Sequence, residues 1–228
     1  MHDVNLLEQS VGWLARNIPG STQIFRQYQM DFCCGGQQML GDALEDRNLA
    51  PEPVLAQLRA LQQDGSDEVD WAAVPRSRLI HHILTRYHDR HRQQLPELIL
   101  MARRVEQVHG NKPECPNGLT QHLKYMAGEL EAHMRKEELV LFPMLQTHAS
   151  PAQLNAPISV MRHEHDDHGL ALNTIESLTD NITVPKGACN TWRALYTSLA
   201  QLRDDLMQHI HLENNILFVD DQGSYEQS

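Results

Sequence analysis

Eight side chains in this 228-residue chain combine metal-ligand chemistry with helical spacing. His88 with His91, and again His165 with His168, form His-x-x-His pairs; His133 with Glu137, and His209 with Glu213, form His-x-x-x-Glu pairs. Residues three or four apart lie on one face of a helix, so both members of a pair can reach one centre. The pairs also repeat, since His165 follows His88 by 77 residues and His209 follows His133 by 76. The run Glu137-Glu-Leu-Val-Leu-Phe142 is echoed by Glu213-Asn-Asn-Ile-Leu-Phe218. An internal duplication accounts for both, and a pseudo-twofold axis would set two like half-sites face to face.

Placement decides whether these residues are a wet surface or a site. The apolar stripe of the first long segment reads Ser77, His81, Leu84, His88, His91, Leu95, Leu98, Ala102, Val105, and that of the second Leu119, Leu123, Met126, Leu130, His133, Glu137, Leu141. The third reads Ile158, Met161, His165, His168, Leu172, Ile175, and the fourth Leu195, Leu199, Leu202, Leu206, His209, Glu213, Ile216. All eight polar residues therefore fall inside a seam that repeats in steps of three and four. One buried imidazole is ordinarily satisfied by a neighbour, but two core glutamates and six histidines at matching depth would wreck the packing unless a cation bound them. Four imidazoles and two carboxylates suit two borderline metals sharing carboxylates better than one closed tetrahedral zinc, and iron or manganese fits that donor set. Di-iron bundles of the ferritin type use four glutamates with Glu-x-x-His, whereas here nitrogen dominates.

Cys33-Cys34-Gly35-Gly36 is the second chemical feature. Adjacent cysteines bridge only with distortion of the peptide between them, so two free thiols, or a metal or nitrosyl held by them, are expected there. Cys115 and Cys189 have no partner motif and read as bland. Glu129 lies four residues before His133, Asp205 four before His209, and Glu164 directly before His165. Such carboxylates can accept imidazole N–H bonds or relay protons, and Glu129 and Glu164 are taken as candidates for that work.

The elements that must position these groups are helical. Four segments, roughly 77 to 109, 117 to 148, 152 to 181 and 188 to 218, are separated by Gly and Pro breakers and show no strand-like alternation. At about 1.5 Å per residue, segments of about 30 residues are about 45 Å long, the proportions of an up-down four-helix bundle. Before them, short helical pieces punctuated by Pro19-Gly20, Gly35-Gly36 and Pro51-Glu52-Pro53 make a small module, and the acidic run from Asp64 to Asp70 reads as a linker. The expected organisation is all-α: a small helical domain over 1–65 and a four-helix bundle over 76–220.

Composition narrows the function. Nineteen Lys and Arg against 30 Asp and Glu give a formal charge of −11, which disfavours phosphate backbones and anionic lipid, so neither nucleic acid nor membrane is an expected partner. No apolar run approaches the roughly 20 residues that span a bilayer, and the start lacks the pattern of a secretory signal, so the chain is read as cytoplasmic. Four cysteines are too few for a disulfide framework, while 14 histidines against 5% aromatics set histidine chemistry apart.

Four strings carry a specific resemblance. His88-Asp-x-x-Arg92 with His91, His133-Met-Arg-Lys-Glu137-Glu-x-x-Leu-Phe-Pro143, His165-Asp166 and His209-Ile-His-Leu-Glu213-Asn resemble the hemerythrin-like di-iron bundle. Tyr28-Gln-Met-Asp-Phe-Cys33-Cys34-Gly-Gly36, followed by Tyr87-His-Asp-Arg-His91 and Gln94-Leu-Pro-Glu-Leu98, resembles the bacterial iron-sulfur cluster repair family. The likeness implies two non-haem iron ions per chain, held by His88, His133, His165 and His209 with Glu137 and Glu213 as bridging carboxylates, an oxo bridge being a further option. His91 and His168 then stand behind the ligands. The Phe-Pro of the second segment has no counterpart after Phe218, where Val219 follows.

The implied function is a stress-response factor that repairs iron-sulfur clusters damaged by nitric oxide or peroxide, supplying iron or electrons, with Cys33 and Cys34 receiving iron in transit. Its partners would be the damaged iron-sulfur proteins, with nitric oxide or oxygen as small ligands and a homodimer as one form of assembly. Two competing readings are a nitric oxide reductase and an oxygen or nitric oxide sensor; the amino-terminal thiol module argues against the sensor.

Overall fold

The apolar spacing resolves into helices in the computed structural model, which describes residues 5–64 and 68–219. Among these the one element of sheet is an isolated antiparallel bridge between Ser10 and Met39. The chain divides into two compact units, one formed by Met1–Leu79 with Met207–Ser228 and the other by Ile80–Leu206.

In the first unit four helices pack on one another: α1 (Val11–Asn17), α2 (Ser21–Gln27), α3 (Leu40–Asp46) and α4 (Pro51–Asp64). Ser10 caps α1 by accepting from the Trp13 N–H, and Gly20, at φ 89°, supplies the left-handed residue that lets α2 start directly after α1. Val11, Leu14, Phe25, Met30, Phe32, Leu40, Leu44, Val54 and Leu58 are buried and make the core. Pro51 opens α4, where its missing N–H costs nothing.

The second unit is a helical bundle. After α5 (Arg76–His82) its long elements are α6 (Asp89–His109), α7 (Leu119–Lys136), α9 (Pro151–Leu178) and the greater part of α10 (Asn190–Leu212), with the short α8 (Phe142–Gln146) following α7. Gly118 (φ 96°) precedes α7, and a reciprocal Ser150–Gln153 capping box opens α9. The predicted seam is the buried seam over most of its length: Leu95, Leu98, Ala102 and Val105, Leu123, Met126 and Leu130, Met161, Leu172 and Ile175, and Leu195, Leu199, Leu202 and Leu206. No helix among the described residues is long and apolar enough to cross a membrane.

Three π-helical turns interrupt this regularity: Ile83–His88, Glu137–Leu141 and Glu213–Leu217. Each contains a residue extra to the α-helical count, which shifts the register beyond it by about one residue. The stripe Ser77, His81, Leu84 therefore does not hold. His81 is exposed, and Leu79, Ile80, Ile83 and Tyr87 are buried instead. Likewise Leu217 is buried beyond Glu213, and the expected Ile216 is half-buried.

Candidate metal centre

Each π-helical turn holds a candidate ligand at its edge: His88 ends the first, Glu137 begins the second and Glu213 begins the third. Extra residues of this kind cluster at functional sites because they re-aim a side chain without breaking the helix. In the bundle unit His88, His91, His133, Glu137, His165 and His168 are all buried.

Glu137 is the centre of this arrangement. Its Oε2 lies 3.4 Å from His88 Nε2, and its Oε1 lies 3.4 Å from His133 Nε2. His165 Nε2 is 3.1 Å from His133 Nε2, and one ligand atom from each of His133, Glu137 and His165 falls within a mutual 4.8 Å. One carboxylate thus turns its two oxygens toward two different histidines. In the other unit His209 Nε2 lies 3.1 Å from Glu213 Oε1, both buried, so the second His-x-x-x-Glu pair also points its two donors at one spot.

The far nitrogens of the imidazoles are held from behind. His88 Nδ1 is 2.8 Å from Glu138 Oε1, and His133 Nδ1 is 2.9 Å from Glu164 Oε2. Arg92 donates to Glu138 and to Glu131, both at 2.8 Å, and Lys136 donates to Glu164. Burial pushes the Glu138 carboxyl up, but its bonds from Arg92 and His88 outweigh this and hold it below the ordinary glutamate value. Glu164 is held low in the same way, with burial opposed by Lys136 and His133. An ionised carboxylate fixes its hydrogen on Nδ1, which leaves the Nε2 lone pair facing inward. Lone pairs then converge with the oxygens of Glu137, acceptor against acceptor, an arrangement that a cation between them stabilises. The donor set fits a metal, and iron suits its mixture of nitrogen and carboxylate.

Of the carboxylates singled out in the sequence, Glu164 meets His133 rather than its neighbour His165. Glu129 is exposed and lines a small pocket with Tyr125, Lys136, Asp167 and His168. Asp205 pairs with Arg86 at 2.6 Å. The His168 ring stands edge-on to that of His133, with centroids 4.9 Å apart, while His91 lies beside Tyr87. Glu138, which sequence reasoning passed over, becomes a partner of His88 because the π turn carries it there. Replacing Glu138 by Gln is expected to weaken iron binding by roughly 10–100-fold while the helical spectrum stays unchanged, since loss of an outer partner loosens a ligand without removing it. Chelator competition on the purified variant measures it.

The thiols lie in the first unit. Cys33 is buried and Cys34 half-buried, their sulfurs 3.6 Å apart, and neither forms a disulfide. Asp31 organises the loop: its Oδ1 accepts from the N–H of Cys33 (2.9 Å) and of Cys34 (3.0 Å), and its Oδ2 from that of Gly35 (2.8 Å). Cys33 Sγ lies 3.2 Å from the same Oδ1. A Cβ on Gly35 would meet Asp31 Oδ2 at 2.9 Å, which explains the glycine. With three N–H groups already on it, the Asp31 carboxylate acts as a brace for the loop. The bond to Cys34, burial and the negative charges of Cys34 and Asp31 all push the Cys33 thiol well up. Asp31→Asn removes one of those charges, so the pH midpoint of Cys33 alkylation should move down. Cys115 is buried, and exposed Cys189 lies 3.3 Å from His109 Nε2.

The loop is not isolated from the last helix. Asn214 Nδ2 donates to the Cys33 carbonyl (3.2 Å), and Asn215 Nδ2 to the Phe32 carbonyl (2.9 Å). His211 packs edge-on against the Phe32 ring, and burial lowers its pKa to about 4, so it is neutral and accepts from Asn215 through Nδ1 at 3.0 Å. No sequence motif pairs the thiol loop with His211, Asn214 and Asn215, and separation in sequence concealed their contact.

Comparison with known proteins agrees with this geometry. Residues 79–219 match the hemerythrin family, described as Hemerythrin HHE cation binding domain, and residues 7–62 match ScdA_N, described as a domain of unknown function (DUF542). The chain is 53% identical over 210 residues to the iron-sulfur cluster repair protein YtfE of Yersinia pseudotuberculosis serotype O:1b (strain IP 31758), covering 92% of this chain and 95% of that one. YtfE of Yersinia pestis (strain Pestoides F) is similar to the same extent, 53% over 210 residues with the same coverage.

Proposed function

Because the chain belongs to the family of bacterial iron-sulfur cluster repair proteins, we propose that it restores iron-sulfur clusters damaged by nitrosative and oxidative stress, from a centre of two iron ions held by His88, His133, His165, His209, Glu137 and Glu213. The observation that carries the two-iron reading is the pair of 3.4 Å approaches by which Glu137 offers one oxygen to His88 and the other to His133. Bound there, two irons supply metal ions and one-electron redox equivalents. The chain's own residues do the rest. Glu138 and Glu164 hold the imidazole hydrogens outward, Arg92 and Lys136 keep those carboxylates ionised, and the surrounding leucines exclude water.

Cys33 and Cys34 are read as receiving iron in transit, and Glu129 as the group that handles protons. The partners are damaged iron-sulfur proteins, nitric oxide and oxygen are the small ligands, and a homodimer is the assembly to look for by sedimentation. The cytoplasm suits four cysteines of which none forms a disulfide.

Metal analysis with a Mössbauer spectrum of the purified protein tests the centre: two coupled irons per chain are expected. Reactivation of a nitric oxide-damaged cluster enzyme without net gas consumption tests the role. Steady turnover of nitric oxide with a reductant would identify a reductase instead.

A further inference from the structure

The thiol loop is fastened at both edges. On one side the Gly12 N–H donates to the Gly36 carbonyl at 2.7 Å, an approach so close that a Cβ on Gly12 would meet that oxygen at 2.9 Å. On the other side Asn214 and Asn215 hold the carbonyls of Cys33 and Phe32, and the Asn215 carbonyl in turn accepts from Arg16 Nη1 at 3.1 Å. Asn214 and Asn215 are the second and third residues of the π-helical turn that begins at Glu213, closed by the Phe218 N–H on the Glu213 carbonyl at 2.8 Å. Glu213 is buried within the turn, and the next two side chains leave it toward the loop. A shift of the turn that follows Glu213 into or out of a metal's coordination is therefore applied, one and two residues later, to the backbone of Cys33 and of Phe32 beside it.

We propose that Asn214 and Asn215 are positioning residues that make the reactivity of the Cys33–Cys34 loop depend on metal occupancy at Glu213. The proposal rests on the reading of Glu213 as an iron ligand. With iron bound, Glu213 is fixed, the turn is rigid and both amides hold the loop closed over Cys33. Without iron the turn is released and the loop opens locally. The effect is mechanical and involves no bond to sulfur.

The test is the alkylation rate of Cys34 in the full-length protein, iron-loaded and iron-free, read by peptide mass spectrometry with exposed Cys189 as the reference for reagent activity. The wild type should react faster without iron, by about threefold or more, because local opening exposes the thiol. The Asn214→Ala/Asn215→Ala variant should keep its iron and react at one rate in both states. Equal rates in the wild type, or a full difference surviving in the variant, overturns the proposal. If the double variant does not fold, Asn215→Ala at its half-buried position carries the test, and its ratio must fall toward one. Iron analysis of Glu213→Leu separates the two ideas. Retention of two irons there means the ligand reading has failed, whereas loss of iron alongside wild-type rates that ignore loading means the tether alone has failed.

Discussion

Glu137→Leu protein is expected to purify folded and helical but nearly free of iron. Glu137 is buried, and it brings its two oxygens to two histidines, His88 and His133, so its loss disturbs the surroundings of both at once. The affinity should fall by more than the roughly 10–100-fold that removal of an outer partner costs. Stability of the iron-free state should move the other way. A buried carboxylate without its cation is costly, and a leucine of similar volume suits a seam flanked by Leu130, Leu141 and Met134, so iron-free Glu137→Leu should be at least as stable as iron-free wild type, by on the order of 1 kcal/mol or more. Metal analysis together with denaturation of both iron-free proteins checks the two halves of this expectation. A Glu137→Leu variant that still holds two coupled irons ends the assignment of Glu137 as the bridge.

Acid should release the iron well before it unfolds the bundle. Each imidazole ligand binds through a lone pair for which protons compete, and ordinary histidine titrates near about pH 6.5, so iron affinity should fall steeply below about pH 6 with more than one proton taken up per iron lost. Glu138 and Glu164 add nothing to this slope. Their values lie below the ordinary glutamate range, so they stay ionised across the window and protonate only later, as pH falls further. His211 adds nothing either, being neutral until about pH 4. Absorbance during chelator extraction between about pH 7.5 and 5 reads the profile. A flat profile would remove the imidazoles from the ligand set and leave the carboxylates to carry the site.

The buried polar seam was legible because period and chemistry coincided: the candidate ligands His88, His133, Glu137, His165, His209 and Glu213 sit in step with leucines, and burial of all six follows from that alone. Registers outside the π turns followed the same logic, as with Leu95 and Leu98 or Leu199 and Leu202. What the pattern hid was the extra residue in each turn. A count in threes and fours places His81 inside and Ile80 nowhere, while the structure does the reverse. The outer partners were half legible. Glu164 was found as an acceptor, but adjacency suggested His165, and only the packing of α7 against α9 shows that His133 receives it. Asn214, Asn215 and His211 were silent, because a contact some 180 residues apart in the chain leaves no local period to detect.

The three π-helical turns also change what kind of lesion the centre is sensitive to. An α-helix with one residue too many can be rewound by removing one, and in the first turn, where His88 and His91 lie at and beyond its end, loss of any single position among Leu84, Thr85 or Arg86 would do so. Downstream residues would then rotate by about 100° about the helix axis, one residue's share of a turn. After such a deletion every histidine and glutamate of the site would still be present, in the same order, and an inventory of ligands would pass the chain as intact. The geometry would nonetheless be gone. For this protein, frame and phase along the helix are as much a part of the metal site as the donors themselves, and a deletion scan through the turns probes something that no substitution scan reaches.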